Sequence, residues 1–147
     1  MSSDVTLATL VWQTRMDVLD HLDHSLSIPV VDGLQAQGDL IVVPFSMIET
    51  AITFRSDATW TDVPPEGIVL LRGGSGGNPH TLVADPDTCR WTTSLGDLDH
   101  LAIGAFETSA PAYLLHPEHG ASGCTPGRYV VRRQREREGR QARLVAD

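Results

Sequence analysis

The residues best equipped for chemistry are histidines. His116-Pro117-Glu118-His119-Gly120 places two imidazoles three residues apart around a carboxylate, where an apolar run gives way to a proline–glycine turn. If the backbone turns between them, the two rings can converge on one ion, with Glu118 as a further ligand or as the base that activates a bound water. His80 opens another apolar run after a glycine-rich loop. His80, His116 and His119 could therefore meet at one end of a β structure, a three-histidine pattern suited to zinc or iron. The plainer reading is that all three are ordinary turn residues. Other candidates are less complete. His21 and His24 fall on the polar side of an expected helix, as a solvated face would place them. Gly73-Gly74-Ser75-Gly76-Gly77 lacks the Lys-Ser/Thr and the following helix of a phosphate loop and reads as a flexible hairpin. Cys124 follows the histidines within Ser122-Gly123-Cys124-Thr125-Pro126-Gly127, a stretch that reads as a flexible loop, with no flanking pattern that marks a nucleophile.

The elements that must position these residues are mostly strands. Leu7, Leu10, Val11, Val18, Leu19, Leu22 and Leu26 recur at three- and four-residue steps, which predicts a helix over 4–26 capped by Ser3 or Asp4. Beyond Pro29 the period changes. Short apolar runs at 38–45, 50–56 and 66–73, then at His80–Pro86, Cys89–Leu95, His100–Phe106, Ala110–His116 and Gly127–Glu136, are punctuated by turn signals such as Pro64-Pro65 and Pro86-Asp87. The expected fold is mainly β, a small antiparallel barrel or sandwich with one N-terminal helix. One domain is expected over 1–147, made of the 4–26 helix, a β region over 37–136 and a tail over 137–147. On the last strand Tyr129, Val131, Arg133 and Arg135 are expected to face one way, and Val130, Arg132 and Gln134 the other.

Charge narrows the partners. The chain of 147 residues carries a net charge of −8, and its 11 basic residues are all arginine. Seven of them lie in 128–147, among three acids, a local net of +4; residues 1–127 hold four arginines and sixteen acids, a net of −12. An acidic body disfavours nucleic acid, and only Tyr129 could stack beside Arg132, Arg133 and Arg135. Those arginines read instead as a local pairing surface, for the chain's own acids or for a protein partner's, with single-stranded nucleic acid as an alternative. No apolar run approaches the roughly 20 residues of a membrane span, and no signal peptide is recognisable at the start. Two cysteines without C-x-x-C spacing predict free thiols and a cytoplasmic chain.

Three blocks also carry a resemblance: "QGDLIVVP" (37–44), "GGSGGNPH" (73–80) and "HPEHGASGCTPGRYVVRRQRE" (116–136). The chain resembles a family of small uncharacterised bacterial and phage proteins that read "QGDVLLVP", then "GE-A/V-TGHAHR", then "H-x-EHG-x-I-x-LPPG-x-Y-x-V-x-RQRE". His116, Glu118, His119, Gly120, Pro126, Gly127, Tyr129, Gln134 and Glu136 match the third block, and His80 matches the later histidine of the second. Asn78 stands where the family has its other histidine, Gly74 replaces its Glu and Gly76 its Thr, and Cys124 takes a leucine position. No activity is assigned to the family. Its two-plus-two histidines imply a metal or acid–base site, of which this chain keeps three residues or only a remnant.

The expectation is accordingly a non-enzymatic accessory or binding protein acting through contacts with a protein partner or with its own copies. The alternatives are a metal protein, hydrolytic or cupin-like, with His80, His116 and His119 as zinc or iron ligands and Glu118 as base, and a single-strand nucleic-acid binder.

Overall fold

A computed structural model describes residues 5–15, 25, 27–72 and 79–134. The fold is mainly β with an N-terminal helix, as the apolar runs predict. Among the described residues no sheet closes on itself: the five-stranded sheet ends at β1 (Val30–Val31) and β6 (Ile68–Arg72), and the six-stranded sheet at β2 (Gln35–Gln37) and β5 (Thr61–Asp62). The barrel alternative is thereby set aside. The chain forms two compact units, each drawn from three separate stretches: 1–32, 62–89 and 108–126 in the first, 33–61, 90–107 and 127–147 in the second.

In the first unit the strand order is β1, β12 (Gly120–Cys124), β11 (Ala112–His116), β7 (Pro79–Ala84) and β6. β11 pairs antiparallel with both of its neighbours, and β1 runs parallel to β12. Helix α1 (Leu7–Thr14) buries Leu7 and Leu10 against Val83, Tyr113 and Leu115. Gln13 pins it by donating from Nε2 to the carbonyls of Pro65 and Ala84. Within the expected 4–26 stretch the described helix runs from Leu7 to Thr14. Thr6, not Ser3 or Asp4, caps its start by accepting from the Thr9 N–H, and Arg15, at φ 63°, ends it in the left-handed region. Residues 16–24 and 26, with His21 and His24, lie outside the described residues, as does the glycine loop at 73–78.

β12 was not expected. Its sequence, Gly-Ala-Ser-Gly-Cys, reads as a loop, yet it is flanked on both sides. Gly123 explains the choice of residue: a Cβ there would lie within about 3 Å of Val30, the Pro29 carbonyl and the Tyr113 ring. Only glycine lets β1 and Tyr113 approach this closely.

The second unit is built on the order β2, β3 (Leu40–Pro44), β13 (Gly127–Arg133), β10 (Ala102–Thr108), β8 (Cys89–Thr92) and β5, with a two-stranded ribbon of β4 (Ile52–Phe54) and β9 (Leu95–Asp97). Ile52, Ala105 and Val130 centre its core, covered by Phe45, Ile48, Phe54 and Trp60. Phe45 and Ile48 belong to the short helix α2 (Phe45–Ile48). The Arg128 guanidinium lies over the rings of Phe45, Phe54 and Trp60, and Glu107 binds both Arg128 and Arg90. Burial does not alternate along β13: Tyr129, Val130 and Val131 are all buried, Tyr129 against Phe106 and Val130 with Ile52 and Ala105. β13 is a central strand, with β3 and β10 on its two edges, and side chains pack on both of its faces there.

Candidate functional site

His80 is the second residue of β7 and His116 the last of β11. These strands pair antiparallel with Leu115 opposite Thr81, so the two histidines meet at the adjoining strand ends. His116 also pairs with Gly120 across the β11–β12 hairpin, and Gly120, at φ 81°, takes a conformation that favours glycine. His119 sits in the turn between. The three imidazoles form a row: the His80 and His116 ring centres are 4.6 Å apart, and those of His116 and His119 4.5 Å apart, all tilted. His80 and His116 are only 2% and 5% exposed, while Glu118 and His119 face solvent.

The hydrogen bonds of His116 decide what this row can do. Its Nδ1 accepts from the backbone N–H of Glu118 at 3.0 Å and from that of His119 at 3.3 Å. A neutral imidazole has one nitrogen with a free lone pair, so Nδ1 is that nitrogen and Nε2 carries the proton. The ring thus plays the part that an Asn or Asp oxygen plays in an Asx turn. Metal-bound histidines have the opposite polarity, with the second nitrogen donating its N–H to a carbonyl or carboxylate.

His116, Glu118 and His119 do offer ligand atoms within 4.8 Å of one another, a set that does not include His80. Ligation by His116 would require it to release both turn amides, so the residues fit a metal poorly in this arrangement. Glu118 and His119 alone are two exposed side chains beside an occupied imidazole. The structure therefore brings the three expected histidines together and ties the central one into the backbone.

The cysteines are free and buried. Burial pushes the Cys89 thiol up to about 11 and the Cys124 thiol up to about 12, the latter helped by the neighbouring Cys89. Neither thiol supplies a thiolate nucleophile near neutral pH.

The arginines of β13 differ from one another. Arg132 grips Asp97 with Nε and Nη2 at 3.0 and 2.9 Å and reaches Asp99 at 2.9 Å. Asp97, with its side chain 3% exposed, also accepts the backbone N–H groups of Asp99, Leu101 and Ala102. Burial works to raise its pKa, but these donors outweigh it and hold the carboxyl at about 2. The positive charge of Arg132 is thus spent inside the chain. Arg133 is exposed, and Arg135 lies outside the described residues.

Beside these arginines the second unit carries a groove of about 270 Å³, lined by Leu34, Ile41, Val43, Met47, Ile48 and Leu101 with Arg132 and Arg133. The pairing of Arg132 with Ile41 across β3 and β13 puts both on the grooved face of the sheet. Leu34 and Met47 are 55% and 59% exposed. The lining comes from five separate stretches, so sequence reasoning could not assemble it.

Fold and site together define a mainly β protein whose clustered histidines are built into a turn. Residues 36–134 match the family described as Domain of unknown function (DUF8820), and the chain belongs to that family. The match takes in the first two sequence blocks and most of the third, and leaves helix α1 outside. No curated protein and no solved structure matches the chain. No helix among the described residues is long and apolar enough to cross a membrane.

Proposed function

We propose that this chain is a non-enzymatic binding protein of the cytoplasm that acts through protein–protein contacts, with the groove of the second unit as its recognition surface. The observation that carries this reading is the exposure of Leu34 and Met47 at the mouth of an apolar groove. Large apolar side chains clustered around a concavity mark contact sites, whereas singly scattered ones do not. The histidine row supports the non-enzymatic part, because its central imidazole is engaged by the backbone and both thiols are held protonated. The test is affinity capture from the native host together with light scattering of the purified chain. A partner, or a self-associated mass, should be present for the wild type and lost in Leu34→Asp/Met47→Asp. A monomer that retains no protein, or retention unchanged in the double variant, overturns the reading.

A second reading, a divalent metal centre, is favoured by one observation: His116, Glu118 and His119 have ligand atoms within 4.8 Å of one another. Zinc or iron there would polarise a bound water, with Glu118 as the proton acceptor. It ranks below the first because it needs the His116 turn to open.

A further inference from the structure

Resting on the groove reading, we infer the chemistry of its occupant: a peptide segment of a partner protein that inserts apolar side chains and sets one carboxylate against Arg133. A groove of about 270 Å³ has room for the apolar anchoring side chains of a protein segment. The lining agrees, since six of its eight residues are apolar and the two polar ones are both arginines.

The charge argument is specific to Arg133. In the second unit Arg55 pairs with Asp57, Arg90 and Arg128 share Glu107, and Arg132 is held by Asp97 and Asp99. Arg133 has no ion pair among the described residues, although the chain carries an excess of acids. A guanidinium left without a carboxylate beside an apolar groove suits a planar, bidentate carboxylate contact from outside. The chain's net charge of −8 opposes an acidic partner at long range. At physiological salt that repulsion is screened beyond about 8 Å, and the contact at Arg133 decides.

Selection of phage-displayed random dodecapeptides on the immobilised full chain tests this. The expected result is enrichment of peptides with apolar residues next to Asp or Glu, lost on Leu34→Asp and switched toward Lys or Arg next to the apolar residues on Arg133→Glu. Enriched apolar peptides with no acidic preference, or with one that Arg133→Glu leaves unchanged, overturn the inference while the groove remains the recognition surface. Self-association abolished by Leu34→Asp, with no peptide enriched, also overturns it and makes a second copy of the chain the occupant. Enrichment indifferent to Leu34→Asp overturns both the inference and the groove reading beneath it.

Discussion

His116→Ala is expected to lower the free energy of unfolding by about 2–3 kcal/mol, and His116→Asn to recover about 1 kcal/mol of that loss. The side chain is buried, and its Nδ1 is the acceptor for two turn amides. Alanine leaves those N–H groups without that acceptor and opens a void beside His80. Asparagine can restore an acceptor, because its side-chain oxygen bonds the backbone two residues on, but it does not refill the space of the ring. Urea denaturation of the full-length variants measures both numbers. If histidine mattered here as a ligand and not as a turn acceptor, asparagine would be no better than alanine. Equal losses would therefore contradict the structural role assigned to His116.

Arg132→Ala is expected to cost about 3 kcal/mol, and Arg132→Lys to fall between it and the wild type, because lysine cannot reproduce the two-pronged grip on Asp97. Removing the guanidinium strands a buried carboxylate whose backbone donors remain. The same contact sets an acid limit. Asp97 has a folded pKa of about 2 against an ordinary value of 3.8, so the folded state prefers the ionised form. That preference contributes on the order of 2 kcal/mol above pH 4 and is lost as pH falls from about 4 to about 2. In Arg132→Ala the folded pKa of Asp97 moves up toward 3.8, so less stability is lost between pH 4 and pH 2 than in the wild type. Stability curves between pH 2 and 7 for both proteins test this. An Arg132→Ala variant as stable as the wild type would return Arg132 to the role of a surface arginine available to a partner.

The strands carrying the histidines were legible because each is an apolar run closed by a turn signal. His80 and His116 lie at the start of one such run and the end of another, which is why their proximity could be expected from spacing. What the spacing could not carry was the direction of the Nδ1 hydrogen bonds, which depends on how tightly residues 117–119 turn. β12 was illegible for a different reason. Its glycines signal a loop by composition, whereas here they permit close approach by β1 and Tyr113. The partner of Arg132 was hidden by distance along the chain, since Asp97 lies 35 residues earlier on a different strand. The end of α1 was hidden because a continuing leucine period does not reveal a left-handed residue at Arg15.

Whether the histidine cluster holds a turn or an ion is answered most directly by elemental analysis of the untagged full-length protein, before and after incubation with zinc or iron(II). With Nδ1 of His116 committed to the backbone, less than about one-tenth of an equivalent of either metal is expected, unchanged by incubation. About one equivalent, retained through dialysis and lost in Glu118→Gln or His119→Ala, would contradict the account.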